Sequence, residues 1–182
     1  METKIIEEIE NLCRKADQTR SIHGMIKDRF VLLNKIVLLY TTIGSAIAAM
    51  LIFAPTPSNY QIYIGIFLAS IFIVSIIPGA LNFDLEILKR SMAVNYWGEW
   101  VRDAKNFCNV DIFQMSHDNV VLYHKKLLNE YKKAMDNTPL ISDDDFIKYK
   151  RLHLQKIAIS KALDKTPFKE IAAIKKDLSS KE

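Results

Sequence analysis

From Ile36 to Phe83 the chain has no Asp, Glu, Lys, Arg or His, although 25% of its 182 residues are charged. A stretch without ionisable groups holds nothing for a proton relay, a voltage sensor or an ion-coupled transporter, which all need charges at membrane depth. Cysteine is nearly absent. Cys13 and Cys108 stand alone without a CxxC spacing, which suggests neither a disulfide framework nor a zinc site. The five glycines, at 24, 44, 65, 79 and 98, are too scattered to form a phosphate-binding loop. The four histidines, at 23, 117, 124 and 153, have no metal-ligand spacing, and the chain has neither an HExxH motif nor a nucleophile elbow. Catalysis is not expected, and no cofactor or metal is implied.

The uncharged stretch is divided only by the turn cluster Pro55-Thr56-Pro57-Ser58-Asn59. It yields apolar segments at 36–54 and 60–83, with nine and thirteen Leu, Ile, Val or Phe residues. A hydrocarbon core of about 30 Å takes about 20 helical residues, so each segment is long enough to cross. The soluble alternative, a hairpin buried in a globular core, would need protein on every side of two helices that lack a polar face. A signal peptide is not expected, because the first apolar run starts at residue 36 and is longer than the usual h-region. Lys27, Arg29 and Lys35 precede the first segment, and Lys89, Arg90, Arg102 and Lys105 follow the second. Positive flanks stay cytoplasmic. The expectation is a multi-pass membrane protein with both termini in the cytosol and membrane lipid as a partner. Tyr60 and Tyr63 suit the outer interface.

Residues 1–35 are expected to form an amphipathic helix that runs into the first span. Ile5, Ile9, Leu12, Ala16, Thr19, His23, Ile26, Phe30 and Leu33 give it a heptad-like seam. That seam fits packing within the chain or contact between subunits. In the spans, Gly44/Ala48, Ser45/Ala49 and Gly65/Ala69 are small-xxx-small pairs that let membrane helices approach closely. They would serve the hairpin itself or an assembly. Two spans cannot enclose a conduit, so a pore needs several subunits. Thr41, Ser45 and Ser70 are candidates to line one, or to bond their own helix carbonyls. Pro78-Gly79 is the candidate hinge.

Residues 84–182 complete an all-α plan. The second helix is expected to continue from Asp84 to about Phe107, with Leu85, Leu88, Met92, Tyr96 and Trp100 as its apolar stripe. Trp97 and Trp100 would dock at the membrane surface or on the first helix. Further helices are expected from about Asp118 to Met135, after a Ser142 cap, and after Thr166-Pro167. Two basic stretches stand out. One holds Lys148, Lys150, Arg151 and Lys156 with Tyr149, and the other Lys125, Lys126, Lys132 and Lys133. Cations beside aromatic rings suit phosphates and stacked bases. A solvated helix face and attraction to anionic lipid headgroups fit as well.

A basic amphipathic helix containing Thr19-Arg20-Ser21-Ile22-His23 and ending in Asp28-Arg29-Phe30, two spans with a tiny loop, and a long helix leaving the second span resemble the SLATT family over about residues 10–110. The resemblance implies a two-span effector of bacterial anti-phage defence that oligomerises, as a tetramer-like ring, into a membrane pore. It implies gating by an oligonucleotide or cyclic-nucleotide signal made by a partner nucleotidyltransferase, leading to membrane depolarisation or growth arrest in the bacterial cell membrane, with a linear DNA oligomer as signal in the Hailong type. The chain departs from fused versions in having no separate sensor domain. The fold class expected is an all-α membrane protein: a two-helix transmembrane hairpin with long cytosolic helical extensions, oligomeric. The alternative function is a membrane-anchored adaptor that recruits a cytosolic enzyme and conducts nothing.

Overall fold

A computed structural model describes residues 2–53 and 60–165, together with 171, 173, 174 and 176. The Pro55–Asn59 turn lies outside the described residues, as does the start of the helix expected after Thr166-Pro167, of which residues 171, 173, 174 and 176 are described and helical. Between residues 2 and 165 the described residues form five successive α-helices: α1 (Glu2–Phe53), α2 (Gln61–Ala80), α3 (Phe83–Asn109), α4 (His117–Asn137) and α5 (Asp143–Lys165). A 3-10 turn at Asp111–Phe113 separates α3 from α4, and no strand occurs among the described residues. The chain divides into two compact units, Gly24–Met92 and Met1–His23 with Ala93–Glu182.

The helix ends follow from local chemistry. No proline lies within α1, and Pro55 and Pro57 come just after its last described residue. Thr138, the residue after α4, is extended at φ −96 and ψ 146. That conformation is imposed on a residue that precedes a proline, here Pro139. The expected cap of α5 is present: the Asp145 N–H donates to Ser142 Oγ at 3.3 Å. Asp143, Asp144 and Asp145 fill the first turn, where the helix dipole favours negative charge.

In the unit Gly24–Met92, α1 and α2 pack along a narrow seam. Its α1 side is Val37, Thr41, Gly44, Ala48 and Leu51, at alternating spacings of four and three. Ile64, Phe67, Ile71 and Val74 supply the α2 side. A Cβ placed on Gly44 would stand 3.0 Å from Cδ1 of Ile71, so glycine is what allows this approach. A hydroxyl pair ties the helices together. Ser70 Oγ donates to the Phe67 carbonyl at 2.7 Å, and the Tyr40 hydroxyl meets Ser70 Oγ at 2.9 Å. Because the single serine proton is committed to Phe67, Tyr40 is the donor. Nearer the start of α3, Phe30 meets Phe83 edge-on at 5.5 Å.

The second helix does not run unbroken into α3 as expected. Pro78 has no N–H to offer the Val74 carbonyl, and α2 ends just beyond it at Ala80. Asn82 adopts a left-handed φ of 50, and its N–H donates to the Gly79 carbonyl at 3.2 Å. Asparagine enters this region more readily than other residues with a side chain. Glu86 N–H then donates to the Asn82 carbonyl at 3.0 Å, within the first turn of α3.

In the other unit, α1, α3 and α4 share one apolar core. Ile5, Ile9, Cys13 and Ala16 of α1 meet Ala93, Trp97, Trp100, Val101, Ala104, Phe107 and Cys108 of α3 and Val120, Leu127 and Ala134 of α4. The α1 seam therefore packs within the chain here, with Cys13 rather than Leu12 as the deeper residue. His23 is fully buried. On α3, the expected stripe is largely on the wrong face. Leu85, Leu88, Met92 and Tyr96 are exposed, and the buried row is 93, 97, 100, 104 and 107. Both tryptophans are core residues and neither lies at a surface. Tyr131 meets the Trp97 and Trp100 rings edge-on at 5.2 and 5.0 Å. Burial pushes the Tyr131 hydroxyl pKa up.

The two indoles differ in one respect. Trp100 Nε1 donates to the Leu127 carbonyl at 3.0 Å, whereas Trp97 Nε1 is buried without an acceptor. Trp100→Phe should therefore destabilise the protein more than Trp97→Phe, by about 1 kcal/mol for the net hydrogen bond. Thermal unfolding of the two variants in detergent, followed by circular dichroism, measures the difference. Equal losses would mean that the bond contributes nothing.

Candidate functional site

The two basic stretches differ in geometry. On α5, successive residues turn about 100°, so Lys148 and Lys150 point to nearly opposite sides. Lys148 and Arg151 line one shallow depression with Asp144, whose carboxylate opposes them. Lys150 leans on the Phe146 ring at 5.5 Å, outside that depression. Lys156 is exposed and not part of it. Tyr149, expected to stack on a base, is only 5% exposed, with Lys148 Nζ 5.4 Å from its ring centroid. A buried ring has no free face to offer, so that role is corrected. Of the α5 cations, only Lys148 and Arg151 share a depression, and Lys150 and Lys156 stand outside it.

The α4 cations converge in part. Val120, Leu127 and Ala134 turn one face to the core. The neighbouring face carries Asn119, Tyr123, Lys126, Glu130 and Lys133 at helical spacing and, with Lys125 and Asn129, lines a shallow groove. Lys132 is exposed and not among its lining residues. Tyr123 is held from behind by Phe107, the rings stacked at 5.1 Å with 20° between their planes. Lys126 Nζ lies 5.3 Å from the Tyr123 centroid and 3.9 Å from a Glu130 oxygen. Such a loose, exposed pair contributes little by itself, which leaves the ammonium free to take a stronger anion. Three lysines, two amides and a buttressed aromatic ring form a face suited to a phosphate-bearing ligand. Asn119 and Asn129 were not singled out from the sequence, although their i, i+3 and i+7 offsets from Lys126 would have placed them there.

The candidate residues of the two long apolar helices sort into two sets. Gly44 and Ala48 are buried in the hairpin seam, and Thr41 and Ser70 are half-buried in it. Thr41 Oγ1 donates to its own helix, 2.9 Å from the Val37 carbonyl. These four residues pack the hairpin and do not offer a free surface for a conduit. Ser45, Gly65 and Ala69 face outward, and no heavy atom lies within 4 Å of a Cβ placed on Gly65. Pro78 and Gly79 fall in the last turn of α2, just before the Leu81-Asn82 interruption. Tyr40 is a further span residue that the sequence reading missed. Its position one residue from Thr41, on the seam side, was the available signal.

Helix α1 and the helix starting at Gln61 are each long and apolar enough to cross a membrane. Their outer faces are not covered by the chain: Leu38, Met50, Phe53, Ile62, Ile66 and Phe72 are all exposed. The soluble alternative, in which the chain's own core surrounds both helices, is thus not what the fold contains. No protein-family model matches the chain, and no curated protein or solved structure matches it either.

Proposed function

We propose that this chain is the subunit of a homo-oligomeric membrane pore, opened by an oligonucleotide or cyclic-nucleotide signal, of the SLATT kind that acts beside a nucleotidyltransferase in bacterial anti-phage defence. The observation that carries the reading is the second small-residue face. Gly44/Ala48 is used up inside the hairpin, while Gly65/Ala69 and Ser45/Ala49 point away from it among exposed apolar residues. Small residues at membrane depth are where helices of different subunits approach. Bare apolar surface elsewhere on the spans suits lipid. The ligand's place is the α4 groove, with phosphates on Lys126, Lys133 and Lys125 and a base against Tyr123.

The test is ligand binding together with conductance. Wild-type protein in dye-loaded liposomes should release dye when the cognate oligonucleotide or cyclic nucleotide is added. Charge reversal at Lys126 and Lys133 should weaken binding at least about tenfold and flatten its salt dependence, since each lost phosphate contact removes one counterion-release step. Reversal at Lys150 and Lys156 should do much less. Equal affinities and salt slopes in both double variants would make the α4 groove a solvated face.

A second reading has an observation of its own. Helix α5 exposes Ile147, Leu154 and Ile157, and Tyr149 is its only buried residue. A helix so little used by its own chain suits an adaptor that docks a cytosolic enzyme. Liposomes that retain dye while a partner enzyme is captured through α5 would favour this reading.

A further inference from the structure

We propose that Cys13 and Cys108 are a latent disulfide pair, a modification site at which oxidation ties α1 to the end of α3. In sequence they are distant and unrelated by motif. In the fold they belong to one apolar cluster, each 7% exposed and each a free thiol. Both line one shallow pocket, whose charged walls are Glu10, Arg14 and Asp17 from α1 and Lys105 from α3. Packed helices lie about 8–10 Å apart axis to axis. Facing residues at that distance fall near the Cα separations of about 4.4–6.8 Å that a disulfide needs.

The surroundings slow oxidation of the pair. Burial, followed by the neighbouring Cys13 and then Glu10, pushes the Cys108 thiol up to about 11. Burial raises Cys13 as well, against the pull of Lys105. At neutral pH both sulfurs are therefore protonated, and only thiolate attacks a disulfide. The oxidant is a small-molecule disulfide such as oxidised glutathione. One cysteine loses its proton to solvent, and its thiolate attacks a glutathione sulfur. A mixed disulfide forms and one glutathione thiolate leaves. The second cysteine, likewise deprotonated, attacks the protein sulfur of that mixed disulfide. The Cys13–Cys108 bond forms and the second glutathione departs, so that two cysteines are oxidised as one disulfide is reduced. The chain closes on itself between helices that must separate for the core to open.

Full-length protein in detergent, exposed to oxidised glutathione at pH 7, 8 and 9 and quenched with acid, tests this by peptide mapping. The expected product is one peptide pair joined through Cys13 and Cys108, with the intact chain lighter by about 2 Da for the two hydrogens lost. Its rate should climb about tenfold per pH unit as thiolate accumulates, and the oxidised chain should unfold at a higher temperature. C13S and C108S should each lack the linked pair. Three results overturn the proposal: two glutathiones retained per chain, disulfides formed only between chains, or native thiols still unreacted at pH 9 while the denatured chain reacts.

Discussion

An Ile71→Arg chain is expected to vanish from the membrane fraction, while wild type stays there through alkaline carbonate extraction. Ile71 is 8% exposed and lies where α2 passes closest to Gly44. An arginine there has no room beside Gly44 and no partner in a seam of apolar and hydroxyl side chains. Placing the guanidinium at membrane depth costs about 2.5–3.5 kcal/mol on insertion scales. Forcing the longer side chain into a packed seam adds about 1–3 kcal/mol. The neighbouring Phe72 separates the two terms. It is 67% exposed, so Phe72→Arg bears the first cost without the second and should keep more protein in the membrane. If Ile71→Arg accumulates in membranes like wild type, the seam between α1 and α2 is not at membrane depth.

Phe107→Ala should be the most damaging single truncation outside the hairpin. The ring is fully buried between α1, α3 and α4, and it supports Tyr123 from behind. Phenylalanine-to-alanine changes in packed cores cost about 3–5 kcal/mol, a large share of the roughly 5–15 kcal/mol that holds a domain together. Melting followed by circular dichroism in detergent should fall by many degrees, and Phe107→Leu should recover much of it. The same change frees Tyr123 to tilt, so oligonucleotide affinity should drop even at temperatures where the variant stays folded. A melting temperature equal to wild type would show that Phe107 is not part of a close-packed core.

The sequence made the two long apolar helices legible because absence of charge over 48 residues leaves few other structures open. The cap at Ser142 was legible for an equally local reason: a hydroxyl three residues before an N–H has one obvious partner. Where several residues compete, the largest apolar ones misled. Leu85, Leu88, Met92 and Tyr96 suggested the buried stripe of α3, yet Ala93 and Ala104 occupy the seam, because close helix approach selects small residues at alternate positions. The four-three spacing through 93, 97, 100, 104 and 107 was present in the sequence but had to include alanine to be seen. Tyr149 was misjudged for the converse reason. An aromatic ring among lysines suits a ligand, but Tyr149 is also the single large residue by which α5 is buried. The interruption at Leu81-Asn82 was hidden because asparagine's tolerance of a left-handed φ shows only when the helix ends there. Of the candidate site, the α4 lysines were named, while their ordering above the α5 cluster depends on helix rotation and on the stack beneath Tyr123.

Both tryptophans of the chain, its only two, sit in the core shared by α1, α3 and α4, and none lies in the apolar stretch 36–83. Intrinsic fluorescence is consequently a single-region signal. Excited at the indole band, the protein should emit at short wavelength, and a red shift will report only the opening of that core. Loss of the α1–α2 hairpin with the core intact will pass unseen. A melt followed by emission and one followed by helicity should therefore part company wherever the two regions unfold separately, with no label attached to the chain.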